Sequence, residues 1–246
     1  MMFDFSGRTL LLTGASGGIG RAVAGLFRAA GANLVLADLD RDALAATAAD
    51  LGPGRGRLAT LRLDAAEPAD AEAAVAEAEA MGGIDFLVPA AGIYLAEPFA
   101  GMTDAQWRRT LSVNLDGVFY LTRRAVPCLR DNSSIVNLTS LAAHRGAVSN
   151  AHYAASKGAL EAFSRSLARE LAPRCRVNAV APGVIETPMT RVLIAQRGAE
   201  TLSGTPLGRF GTADEVASVV AFLCSDAASF VTGETLHVNG GLYMKG

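Results

Sequence analysis

The chain has 246 residues, 22 Lys and Arg against 24 Asp and Glu, and a formal net charge of −2, which excludes a strongly basic, phosphate-seeking surface and with it a nucleic-acid partner. Half of the residues are hydrophobic and 19% are charged, so the chain has the apolar content of a folded core and no disorder signature. The longest uncharged apolar run, residues 86–96, falls short of the roughly 20 that span a bilayer, the N-terminus has no basic stretch ahead of an apolar one, and Cys128, Cys175 and Cys224 form no CxxC pair, so a reduced cytoplasm and no membrane are expected.

In chain order, residues 9–12 read as a short apolar strand, 21–30 as a helical period and 33–37 as a second strand. Strand-like runs recur at 58–63, 84–90, 134–138 and 177–181, each followed by a turn signal and a longer helical segment, and a last strand covers 235–238. Repeated βα units imply an α/β fold, a parallel sheet with helices on both faces. Strands buried on both sides should be continuously apolar, and Leu10-Leu11-Leu12 and Leu34-Val35-Leu36 are. No linker, composition shift or repeat divides the chain, so one domain over 1–246 is expected. The Ala-rich stretch 65–80 reads as a solvated helix of high propensity, and the Gly/Arg-rich stretch 52–57 as a surface loop. The longest helical patterns, 104–129 and 151–171, carry apolar residues on more than one face, including Leu111, Val118, Leu121, Leu160 and Phe163. A helix covering a sheet needs one such stripe, so the surplus points to burial against another subunit.

Directly after the first strand comes Thr13-Gly14-Ala15-Ser16-Gly17-Gly18-Ile19-Gly20, opening a helix. Glycines let the backbone approach a ligand without a Cβ, and a helix N-terminus offers unpaired N–H groups and a positive dipole end, which suits a pyrophosphate. The spacing Gly14, Gly18, Gly20 differs from the general Gly-x-Gly-x-x-Gly fingerprint, and a ligand-free glycine turn is the plain alternative. Asp38, ending the second strand, is placed where an acid accepts hydrogen bonds from an adenosine ribose. Its other reading, a helix N-cap, is served as well by Asp40.

Tyr153-Ala154-Ala155-Ser156-Lys157 sets a phenol and an ammonium four residues apart, on one helix face. An adjacent cation stabilises a phenolate and is expected to lower the tyrosine pKa, making Tyr153 a candidate acid or base. Ser140 ends the strand run 135–139, at the carboxyl edge where α/β sheets bind ligands. His144, His152 and His237 have no ligand spacing with the cysteines, so no metal is expected; they read as polar surface or loop residues, with no catalytic role for His152.

Taken together, these motifs resemble the short-chain dehydrogenase/reductase family, in its compact type of about 250 residues, over nearly the whole chain. The resemblance implies a single-domain, Rossmann-type doubly wound sheet of about seven strands, and a nicotinamide cofactor lying over Gly14, Ser16, Gly18, Ile19 and Gly20. It implies a catalytic set of Asn114, Ser140, Tyr153 and Lys157, in which Asn114 supports the proton relay and Lys157 also bonds the nicotinamide ribose. Asp64 matches the acid that contacts adenine, and Ala91 and Gly92 line the site through their backbone. Pro182-Gly183-Val184-Ile185-Glu186-Thr187 resembles the motif whose Ile185 backbone and Thr187 hydroxyl hold the nicotinamide carboxamide. One departure is Pro89-Ala90-Ala91-Gly92 in place of Asn-Asn-Ala-Gly, which loses side chains that normally steady the central sheet.

The resulting expectation is an NAD-dependent oxidoreductase, NADP being disfavoured by Asp38, that interconverts a secondary alcohol and a ketone and assembles as a homotetramer. The alternative is a 3-oxoacyl-[acyl-carrier-protein] reductase, which residues 238–244 resemble. Acyl carrier proteins are acidic, and Arg130 and Arg174 are expected beside the site entrance. A non-catalytic nucleotide sensor on the same fold is a further reading, and residues 187–207 are expected to form the lid.

Overall fold

The computed structural model describes residues 3–244. Seven strands, β1 (Thr9–Thr13), β2 (Asn33–Asp38), β3 (Leu58–Arg62), β4 (Ile84–Pro89), β5 (Leu129–Leu138), β6 (Cys175–Pro182) and β7 (Thr235–Val238), form one sheet in the order β3-β2-β1-β4-β5-β6-β7. All neighbours are parallel. Between them run α1 (Gly18–Ala29), α2 (Arg41–Leu51), α3 (Pro68–Ala80), α4 (Asp104–Leu111), α5 (Gly117–Ala125), α6 (Ala142–Arg145), α7 (Ala151–Glu170), α8 (Arg191–Ser203) and α9 (Ala213–Cys224).

The two-residue alternation along the strands divides the core. Leu10, Leu12, Leu34, Leu36, Phe86 and Val88 pack under α1, α2 and α9, whereas Leu11, Val35, Leu87, Ile135 and Val177 pack under α3, α5 and α7. This is the doubly wound, Rossmann-type arrangement that the repeated βα pattern implies. The strand order reverses between β1 and β4, and the crevice outside their carboxyl ends is the ligand edge of such a sheet.

Local chemistry sets the element ends. Asp40 caps α2 by accepting the Asp42 and Ala43 N–H groups, both at 3.0 Å, which leaves Asp38 free of that task. Thr103 with Gln106, and Thr212 with Glu215, form capping boxes at α4 and α9. The expected helix 104–129 is interrupted: Ser112–Asp116 forms a π turn, and Pro127 stands where the segment tightens into a 3₁₀ turn before β5. β5 begins five residues before the apolar run, because Ile84 pairs with Leu129 but Phe86 with Ser134, and the intervening polar residues bulge out of register.

Two expectations are corrected. The Ala-rich helix is not wholly solvated, since Ala71, Ala74, Val75 and Ala78 of α3 are buried against the sheet. Of the five apolar residues read as surplus, Val118, Leu121 and Leu160 are already buried within the chain. No helix among the described residues is long and apolar enough to cross a membrane.

Three rings hold α1 to the sheet: Phe27 lies 4.7 Å from Phe5 and 5.5 Å from Phe86, and all three are fully buried. Phe27→Ala is expected to lower unfolding stability by about 3–5 kcal/mol, read by urea denaturation. A loss under about 1 kcal/mol would show that these rings do not anchor the helix behind the glycine turn.

Candidate functional site

The candidate residues converge on the carboxyl edge of the sheet. Thr13 ends β1 and leads into the glycine turn, Asp38 ends β2, Asp64 follows β3, Ala91 and Gly92 follow β4, Ser140 follows β5, and Pro182 to Thr187 follow β6. Asn114 reaches the same edge from the π turn, and Tyr153 and Lys157 from the first two turns of α7.

The turn is shaped by close approach. Gly14 has φ +67°, and a Cβ there would lie 2.7 Å from the backbone of Ala90 and Ala91. A Cβ on Gly20 would stand 2.0 Å from the Gly14 carbonyl oxygen. A Cβ on Gly18 would stand 2.6 Å from Cγ2 of Thr187, so the segment after β6 rests directly on the first turn of α1. No side chain caps that helix. Its leading N–H groups, around Gly18, Ile19 and Gly20, therefore present a donor set and a positive dipole end, which fits a dinucleotide pyrophosphate. Asp38 is aimed at the turn: its carboxylate accepts the Ser16 N–H at 2.9 Å and the Asp40 N–H at 3.3 Å. Asp64 is beside it, since Leu63 N–H donates to the Asp38 carbonyl, and its carboxylate accepts the Ala66 N–H at 3.0 Å.

Pro89 is accommodated by topology. Ala90 N–H donates to Thr13 of β1, so the neighbouring residue faces β5, and β5 pairing stops at Leu87 with Ile135. Pro89 therefore sits where no ladder donor is required.

Around the phenol, Lys157 Nζ lies 5.8 Å from the Tyr153 ring centroid and donates to the Leu138 carbonyl at 2.8 Å. Asn114 is fully buried; its amide bonds the N–H and C=O of Ile93 at 2.8 and 3.0 Å, and its Nδ2 donates to Ser156 Oγ at 3.3 Å. A Cβ on Gly92 would fall 3.2 Å from Asn114 Oδ1 and 3.7 Å from Lys157 Nζ, so these three share one small space. Burial pushes the Tyr153 phenol up to about 12, opposed by a hydrogen bond with Ser140, and burial pushes the Lys157 ammonium down to about 8. Desolvation, the largest influence on the phenol, therefore acts against the expected lowering.

Three further placements differ from expectation. His152 is not a surface residue but fully buried, with Nε2 2.7 Å from Glu97 Oε2. His144 is mostly buried, 2.7 Å from Glu161, and its ring meets those of His237 and Tyr243 at 4.6 and 5.0 Å. Arg130 and Arg174 stand at the starts of β5 and β6, the opposite edge from Ser140, and the ten residues of β5 put about 30 Å between those edges. Arg130 pairs there with Asp85 at 3.6 Å, and Arg174 donates to the Val126 carbonyl at 3.0 Å. Residues that sequence reasoning missed are Tyr94, whose ring meets Tyr153 edge-on at 4.8 Å, and Ser156, which links Asn114 to the Tyr153 carbonyl. Only the spacing of Tyr94, two residues after Gly92, offered any signal.

Comparison with known proteins identifies the family. The family described as Enoyl-(Acyl carrier protein) reductase matches residues 14–243. The Escherichia coli protein named 3-oxoacyl-[acyl-carrier-protein] reductase FabG is 41% identical, over 98% of this chain and 99% of its own. Nodulation protein G of Rhizobium sp. is 43% identical, over 99% of this chain and all of its own. A Brucella melitensis crystal structure, described as a short-chain dehydrogenase/reductase SDR:Glucose/ribitol dehydrogenase, is 63% identical and superposes over the whole of both chains with a TM-score of 0.97. With the likeness running from the glycine turn through the tyrosine helix, the chain belongs to the short-chain dehydrogenase/reductase family, oxidoreductases that act on CH–OH groups with a nicotinamide cofactor.

Proposed function

We propose that the chain interconverts a secondary alcohol and a ketone with NAD as the hydride partner. The observation that carries this reading is the gathering of Ser140, Tyr153 and Lys157 at the sheet edge that also bears the glycine turn, with Asp38 facing the turn. The nicotinamide, when bound, supplies or takes the hydride. The chain does the rest. Tyr153, protonated at neutral pH, gives its proton to the carbonyl oxygen during reduction, and Ser140 donates to the same oxygen as charge develops. Lys157, held by the Leu138 carbonyl, supplies the cation beside the phenol, and Asn114 fixes the backbone of the facing segment.

Cofactor choice follows from charge. The Asp38 carboxylate keeps acceptor capacity for ribose hydroxyls and repels a 2′-phosphate, and the next residue, the exposed Leu39, brings no positive charge. A second reading, reduction of a 3-oxoacyl group on acyl carrier protein, is favoured by the names of the E. coli and other relatives. It ranks below a small free substrate because Arg130 and Arg174 lie at the far edge within this chain, and because Asp38 disfavours NADPH.

Assayed on free ketones and on acetoacetyl carrier protein with NADH and NADPH, the enzyme should favour NADH in kcat/KM at least about tenfold, since a charged hydrogen bond contributes about 1.5–3 kcal/mol. Equal values would remove the role of Asp38, and faster turnover of the carrier-bound substrate would put the second reading first. Tyr153→Phe should bind NADH with unchanged Kd while losing about 10²- to 10⁴-fold in kcat; retention of more than about a tenth of the activity would move proton transfer to another group. Assembly as a homotetramer is proposed on the family resemblance, and exposed Phe119 on α5 is an apolar side chain that such an interface would cover. Light scattering should give a mass four times the 25.4 kDa chain, and a monomer mass would end that proposal.

A further inference from the structure

Residues 90–103, between β4 and α4, contain one 3₁₀ turn, Phe99–Gly101, and no other regular structure. The segment is nevertheless tied at two points. At the first, Asn114 takes both the N–H and the C=O of Ile93. At the second, Glu97 N–H donates to the Ser149 carbonyl at 2.7 Å, and the Glu97 carboxylate accepts the Nε2–H of His152 at 2.7 Å. His152 Nδ1 has no hydrogen-bond partner, so a proton on Nε2 leaves no N–H of this buried ring unmade. Tyr94 lies between the two ties, and its ring meets the Tyr153 ring edge-on, at 4.8 Å and 82°.

A single edge-on ring contact is a weak restraint on an irregular segment. Two backbone anchors on either side of Tyr94 are a strong one. The second tie is shared: Ser149, just ahead of α7, takes the Glu97 N–H, and His152, immediately before Tyr153, holds the Glu97 carboxylate, so the start of α7 carries the phenol and helps to fix what stands against it.

We propose that Tyr94 is a specificity-determining residue whose ring walls one side of the space over the Tyr153 phenol, and that His152, through Glu97, is the positioning residue that holds this wall. The proposal rests on Tyr153 being the proton-transfer group. A flat ring beside the phenol leaves room for a small carbonyl substituent on that side and excludes a bulky one, so the substrate class is a ketone with one small substituent.

The test compares kcat/KM with NADH for a methyl-ketone series and a matched series bearing two bulky substituents. Tyr94→Ala should shift the bulky-to-small ratio upward at least tenfold. His152→Ala should shift it the same way, mainly through KM, with the NADH Kd unchanged. His152→Gln, which keeps an N–H donor, should restore most of the original ratio. Adding His152→Ala to Tyr94→Ala should change the ratio no further, because both act on one wall. Glu97→Ala removes the same bond from the partly exposed side and stands in if the buried histidine variant does not fold. Independently of turnover, hydrogen exchange at the Glu97 amide should quicken at least tenfold in His152→Ala or Glu97→Ala, while the Ile93 amide, held by Asn114, should not change. Unaltered Glu97 exchange overturns the anchor, and an unaltered ratio in Tyr94→Ala overturns the wall. A wild type that reduces no ketone overturns the reading of Tyr153 and the wall with it, whereas amide exchange still decides the anchor.

Discussion

The approach of the turn after β1 to the end of β4 is the constraint on which the site depends. With less than 3 Å between a would-be Gly14 Cβ and the Ala90–Ala91 backbone, any side chain there would push the turn away from β4. The start of α1, the Thr187 segment resting on it, and the space beside Gly92, Asn114 and Lys157 would then move with it. Backbone contact of this kind is steric and has no soft direction, so the edge is set by glycine rather than by hydrogen bonds that could stretch.

A different balance operates at the phenol. Tyr153 and Lys157 are placed to interact as cation and phenolate, yet both are driven toward their neutral forms by the packing around them. Desolvation acts on each charge by itself, whereas the attraction acts only while both charges exist. The protonated phenol is the form that reduction of a carbonyl requires, and the Leu138 carbonyl accepts from the lysine ammonium. The π turn that carries Asn114 belongs to the same arrangement, since the Asn114 amide bonds the backbone of Ile93 beside the phenol's helix.

Rigid and irregular parts divide the work. Strand ends and helix starts carry the groups proposed to meet the cofactor and exchange the proton, while the segment after β4 is irregular apart from one 3₁₀ turn. The strands behind the former are buried on both faces of the sheet, whereas the segment after β4 is held by a few ties, Asn114 at Ile93 and Ser149 with His152 at Glu97. Substrate preference is therefore the property most open to change by small substitutions.

Much of this was legible in the residues alone. Parallel strands buried on both faces must be apolar throughout, so Leu10 to Leu12 and Leu34 to Leu36 announced themselves. A glycine turn between strand and helix, and a Tyr and Lys one helical turn apart, are local patterns whose geometry needs no distant partner. Tertiary structure alone decided the rest. His152 carries no sign of burial in its neighbours, because Glu97 is 55 positions away. Arg130 and Arg174 lie at helix-end positions in the sequence, but strand direction sends them to the edge opposite Ser140. Alanine is too weakly apolar for its spacing in α3 to announce the face that the sheet buries. Burial acts on Tyr153 against the local expectation because a neighbouring charge is written in the sequence, whereas loss of water is created only when the chain closes around it.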